Sequence, residues 1–221
     1  MNFEGLSGLL LSDRRNSKLE SSSIVRAGRV SEPARFEDSA WEQASFQSEV
    51  PFTPADQLGT PPFTYPLVWR LSGPRVLLLS ISRDVVEHFR KVAVKSGLRL
   101  EPVGIAVDLF VKETARDPSE YVLSFVHARV SAFGTALKSV SFYGEDVAEA
   151  KFFRDGMDLF VCHTCGVRHA AGGGEIIRLG NDGAVSFKHT GSRRLREVEE
   201  TLGHLRRNGY LARTKIEEGE F

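Results

Sequence analysis

The stretch "VLLLSISRDVVEHFRKVAVKSG", residues 76–97, decides the fold class. Its first six residues are a short apolar run with strand character. Ser82 then offers a hydroxyl to cap the start of a helix. Val85, Val86, Phe89, Val92 and Ala93 follow at helical spacing, and Gly97 suits the stop. A strand feeding an amphipathic helix, in a chain that goes on with more strand-like segments, reads as α+β with a mostly antiparallel sheet.

Downstream, "LRLEPVGIAV" (98–107) continues as a strand, and "EYVLSFVHARVSAF" (120–133) has the β-branched and aromatic content of another. "MDLFV" (157–161) reads as one more. "EIIRLGNDGAVSFKH" (175–189) is a hairpin signal with Asn181, Asp182 and Gly183 in the turn. Ser192 then caps a second helix carrying Leu195, Val198, Leu202 and Leu205 on one face. Gly209 ends it, and "YLARTKI" (210–216) is a last strand. The strand–Ser–Arg–helix–Gly–strand pattern therefore occurs twice, around Ser82/Arg83 and around Ser192/Arg193, as in a duplicated unit.

Upstream the composition changes. Residues 1–66 read as an irregular Pro/Ser-rich N-terminal arm, and residues 67–221 as the α+β domain. "PFTPADQLGTPPFTYP" (51–66) has five prolines in sixteen residues, which excludes long helices. Phe36, Trp41, Phe46, Phe52, Phe63 and Tyr65 are the expected anchors that pin this arm to the domain.

Lys plus Arg and Asp plus Glu both total 29, so no global field steers the chain toward nucleic acid or anionic lipid. The opening "MNFEGLSGLLLSDRR" has no basic residue ahead of its leucines and makes a poor signal peptide. No apolar run is long enough to span a bilayer. Two cysteines in 221 residues do not make a secreted disulfide scaffold. The expected compartment is the cytoplasm.

Both cysteines lie in "VCHTCGVRH" (161–169), and three readings are open. A redox pair needs the first thiol at a helix N-terminus, and "GVRHAAGGG" is a poor helix start. A zinc knuckle would use a tight turn to converge Cys162 and Cys165 on one structural zinc ion, joined by His169 and His189 as a Cys₂His₂ set. The plainest reading is that both thiols are small buried apolar groups beside a strand.

No G-x-S-x-G is present, and the six histidines form no nucleophile signature, so no catalytic residues are expected. "AGGGE" (171–175) lacks the lysine and hydroxyl of a phosphate loop. His88 and His127 read as isolated structural histidines. Glu113, Asp117 and Glu120 read as a solvated acidic loop. The helix 193–207 carries Arg193, Arg194, Arg196, Arg206 and Arg207, flanked by Lys188, Arg213 and Lys215. This is the best basic patch for a phosphate backbone, although Glu197, Glu199 and Glu200 interrupt it.

The order "LLLSISRDVVEHFRKVAVKSGLRLEPVGIAV", "EYVLSFVHARVSAFGTALKSVSF", "MDLFV" and "SRRLREVEETLGHLRRNGYLARTKI" resembles immunity proteins of bacterial polymorphic toxin systems. It resembles more distantly the double-CxxCG immunity proteins of myxobacteria, with one CxxCG here instead of two and residues 162–188 standing as an insertion. The resemblance implies a cytoplasmic, non-enzymatic protein that binds a cognate toxin and neutralises it by occlusion. Nucleic acid is not the expected partner on this reading. The alternative is a zinc-stabilised nucleic-acid-binding or regulatory module using the basic helix 193–207.

Overall fold

The computed structural model describes residues 5–13, 19–36, 40–131, 138–171, 175–188 and 192–212. They form an α+β fold that divides into two units, the first built on residues 1–103 and the second on Gly104–Lys188 with Arg194–Ala212. Within each unit the strands pair antiparallel.

The first unit runs β1 (Gly5–Asp13), α1 (Ser21–Arg26), β2 (Ala34–Arg35), β3 (Glu42–Ser48), β4 (Phe63–Ser72), β5 (Arg75–Ser80), α2 (Arg83–Lys95) and β6 (Leu100–Pro102). Its strands lie in the order β2-β3-β4-β5-β1, and β6 pairs with the end of β1. Every residue of β5 is buried, and its apolar run Val76–Leu79 has paired neighbours on both edges. The Ser82 hydroxyl accepts the Val85 N–H and caps α2. Val85, Val86, Phe89 and Ala93 form its buried stripe, with Phe89 edge-on to Phe46 at 5.5 Å.

Residues 1–66 are not an irregular arm. They supply β1, α1, β2, β3 and the start of β4, and β1 is buried along most of its length. The alternation in "EQASFQS" and the leucines of "GLSGLLLSD" outweighed the Pro/Ser composition, because pairing with β4 and β5 satisfies their backbones. The anchors behave as expected. Phe36, Trp41, Phe46 and Tyr65 are buried, and Phe52 and Phe63 are half-buried. The proline-rich part is held by a polar knot. Tyr65 Oη donates to Asp56 Oδ2 at 2.7 Å and accepts the Phe52 N–H at 2.9 Å, while Asp56 also takes the Thr53 N–H at 2.8 Å. In parallel, Trp69 Nε1 donates to Glu42 Oε2 at 2.8 Å, a carboxylate that Ser21 Oγ also reaches.

The second unit runs α3 (Val107–Arg116), β7 (Tyr121–Val130), β8 (Ser139–Tyr143), α4 (Lys151–Gly156), β9 (Phe160–His169), β10 (Ile177–Gly180), β11 (Ala184–Lys188) and α5 (Ser192–Arg207). The strand order is β11-β10-β9-β7-β8. The hairpin read at 175–189 forms as β10 and β11, with Gly183 at φ +82°. The described residues of 162–188 provide most of β9, which is paired on both edges, together with β10 and β11.

Two further readings change. "LRLEPVGIAV" is strand only at Leu100–Pro102, and Val107 opens the helix α3. "MDLFV" is a 3-10 turn at Met157–Leu159, with the strand beginning at Phe160. Of "YLARTKI", Leu211 makes a single antiparallel bridge to Ile105, and the residues after 212 lie outside those described.

The repeated helix unit is visible in the helix ends. Gly97 (φ +85°) and Gly209 (φ +73°) both take the left-handed conformation. In α2 the Leu98 N–H returns to Ala93 O, and in α5 the Tyr210 N–H returns to Leu205 O. This is the same Schellman closure twice, at the positions where glycine costs least.

Candidate functional site

"VCHTCGVRH" lies in β9, not in a knuckle. A strand would point residues 162 and 165 to opposite faces. Here the β7–β9 register slips between His127 and Ala128, so that Ala128 faces Cys162, His127 faces Thr164, and His163 has no counterpart. This bulge re-phases the strand, and both thiols are free and buried. The Cys162 N–H donates to Asp108 Oδ1 at 2.8 Å. Burial first, and Asp108 second, push the Cys162 thiol up to about 12, and burial raises Cys165 as well.

The tight turn expected to converge the ligands is absent. At about 3.3 Å rise per residue, β9 carries His169 roughly 13 Å beyond Cys165. His169 is occupied elsewhere, with its ring 4.7 Å from Tyr121 and its Nε2 3.3 Å from Thr201 Oγ1. His189, the fourth expected ligand, lies outside the described residues. Among the described residues no three His, Cys, Asp or Glu side chains group as a metal site. The thiol environment makes a prediction. In the folded chain both cysteines should react with a thiol-specific disulfide reagent roughly a thousandfold more slowly than in the unfolded chain, because the thiolate is nearly absent. Equal rates in the two states would sink the buried-thiol description.

A second cluster of titratable groups gathers around Tyr121. His204 Nδ1 lies 2.6 Å from Glu120 Oε2, and Tyr210 Oη donates to Glu113. Thr201 Oγ1 donates to Glu197 O at 2.9 Å and is fully buried, so it is not an accessible nucleophile. The three residues read as one acidic loop are thus separately engaged, and Asp117 accepts the Ser119 N–H. Burial first and the Glu113 bond second raise Tyr210 to about 12, and Tyr65 is also raised to about 12, by burial and Asp56. The folded pKa exceeds the ordinary value of 10, so the protonated phenols favour the folded state. That contribution is complete below about pH 10 and is lost as pH rises toward 12. Urea midpoints measured across this window should fall, and less so in Tyr210→Phe. A flat profile would contradict it.

His88 and His127 are isolated, as read. His88 packs between Phe46 and Phe52, and His127 Nδ1 contacts Ser141 Oγ at 2.8 Å. Burial lowers the His88 pKa, with Lys91, Arg29 and Lys95 adding to the shift.

The basic helix is less basic at its surface than its sequence. Arg194 is buried, with its guanidinium 5.9 Å from the Phe187 ring centre and 2.5 Å from Glu197. Arg193, Arg196, Arg206 and Arg207 remain exposed, with Glu200 among them, and Lys188 is exposed on β11. Arg213 and Lys215 lie outside the described residues. No described helix is long and apolar enough to cross a membrane.

One surface was not anticipated. On the face of the second unit opposite the buried cysteines, Tyr143, Phe125, Gly166 and Arg178 fall in one row across β8, β7, β9 and β10. Tyr143 is 73% exposed and its ring lies 4.8 Å from Phe125, whose other neighbour is the Arg178 guanidinium at 5.7 Å. Gly166, the glycine of the CxxCG motif, forms the floor. A Cβ there would meet Ile176 Cγ2 at 2.7 Å and Phe125 Cβ at 3.2 Å. His127 and Arg129 alternate with buried Val126 and Ala128 in the sequence, which marks an open face. The row itself joins four separate strands and has no local signature. Compared with models of protein families and with curated proteins, the chain matches none, so the immunity-protein resemblance rests on its quoted motifs.

Proposed function

We propose that the chain is a non-enzymatic immunity protein that acts in the cytoplasm by binding and occluding a cognate bacterial toxin. The observation that carries the reading is the Tyr143–Phe125–Gly166–Arg178 row. Exposed tyrosine and arginine packed around a fixed aromatic ring are the side chains that most often anchor protein interfaces. The two similarly closed helices, which lie in the segments that carry the immunity-family resemblance, add support.

The test is binding between the purified chain and the product of a toxin gene encoded beside it. A stoichiometric complex is expected, with Tyr143→Ala and Arg178→Ala each weakening it by roughly tenfold or more at unchanged stability. A complex indifferent to both would remove this face from the interface, and no complex would sink the reading. The nucleic-acid alternative on α5 keeps four exposed arginines. It requires salt-dependent binding of DNA or RNA that is lost on Arg196→Ala with Arg207→Ala.

A further inference from the structure

The strand β8 ends the sheet of the second unit, and the hydrogen-bond phase of its ladder fixes which groups face outward. Val130 N donates to Lys138 O, and Gly144 N donates to Ser124 O. Even-numbered residues of β8 therefore bond to β7, and the backbone groups of Ser139, Ser141 and Tyr143 point away from the sheet. Nothing in β8 blunts this edge. Ser139–Tyr143 has no charge, no proline and no bulge, and none of its residues is buried. The first unit treats its edge differently, closing on the two-residue β2. An unprotected edge is a template for another strand.

We propose that β8 pairs antiparallel with β8 of a second copy of this chain about a two-fold axis at Ser141. The register is self-complementary. Ser141 meets Ser141 of the second copy, Ser139 meets Tyr143, and each pair exchanges both backbone hydrogen bonds. On one face Val140 comes opposite Phe142 of the second copy. Beside Phe142, at 6.0 Å between ring centres, stands Phe152, 67% exposed and given an apolar neighbour by this pairing. The charges select the orientation. Lys138 stands at one end of the strand and Glu145 and Asp146 at the other. Antiparallel pairing sets the lysine of each copy against the acidic pair of the other, whereas parallel pairing sets like charges together. A two-fold interface of this kind closes on itself, and the face bearing the Tyr143–Phe125–Arg178 row stays open in both copies.

Sedimentation equilibrium of the full chain over a concentration series tests this. The expected result is a monomer–dimer equilibrium. Ser141→Pro removes an N–H that faces outward, keeps the ladder to β7 and gives up the Ser141 Oγ–His127 Nδ1 contact. It should therefore melt like Ser141→Ala, which loses the same contact and keeps the N–H. The dimer dissociation constant of Ser141→Pro should rise by roughly a hundredfold, because both bonds of the central pair are lost. Lys138→Glu should weaken the dimer by roughly tenfold, and adding Glu145→Lys should restore it. A parent chain that is monomeric at every concentration overturns the proposal and leaves the edge to a strand of another protein. A dimer indifferent to both Ser141→Pro and Lys138→Glu overturns it equally.

Discussion

Gly8→Ala is expected to cost about 3 kcal/mol or more and to lower the yield of folded protein sharply. Gly8 lies in β1 opposite Leu79 of β5. A Cβ at this position would sit 1.9 Å from Leu78 O and 2.8 Å from Leu79 Cα. Both obstacles are backbone, so no rotamer change relieves the clash, and the two strands must separate. Separation breaks a ladder of six paired residues, Ser7 to Ser12, between two largely buried strands of the first unit. Against a typical total stability of roughly 5–15 kcal/mol this is a large fraction. Urea denaturation is the measurement, with Ser7→Ala as the neighbouring control that should change little. A Gly8→Ala midpoint equal to the parent's would show that β1 and β5 do not approach this closely.

In the second unit the largest effect is expected from Phe110→Ala, about 3–5 kcal/mol. Phe110 is buried in α3, and its ring is edge-on to Tyr121 at 5.8 Å, His204 at 6.0 Å and Tyr210 at 5.4 Å. These residues come from β7, α5 and the segment after it, so one ring fills the space where three elements meet. Their positions are also fixed by the His204–Glu120 and Tyr210–Glu113 contacts, which limits collapse into the void. A cavity that cannot close carries the full cost of lost contacts. Phe110→Leu, which keeps most of the volume, should cost about 1 kcal/mol. Chemical denaturation followed by tyrosine fluorescence would read both. A loss below about 1 kcal/mol for the alanine variant would contradict the packing described.

The helix α3 shows how a legible signal can be misread. Val107, Phe110, Val111 and Thr114 recur at helical spacing and are its buried stripe. The preceding "LRLEPVGI" carries strand-forming residues, and an apolar run without a clear break extends whichever element came first. Residues 1–66 depart from their composition for a different reason. Proline and serine forbid long helices, but β3 needs only seven residues between the prolines, and its partner β4 supplies the hydrogen bonds. Composition reports what a segment lacks, not which neighbour it finds.

By itself the sequence determined α2, the hairpin of β10 and β11, and the glycine-closed ends of α2 and α5. Those features depend on caps, turns and a periodicity of 3.6 residues, all of which act within a few residues of chain. Only the tertiary structure decided what "VCHTCGVRH" is. The facing of a strand follows from its register against a partner, and a one-residue slip moves a side chain from one face to the other. The slip opposite His127 and Ala128, some 35 residues earlier, turns Cys162 and Cys165 inward together. It leaves Gly166 on the open face beneath Phe125. Neither fact is written in the nine residues themselves, because both depend on a strand that those residues do not contain.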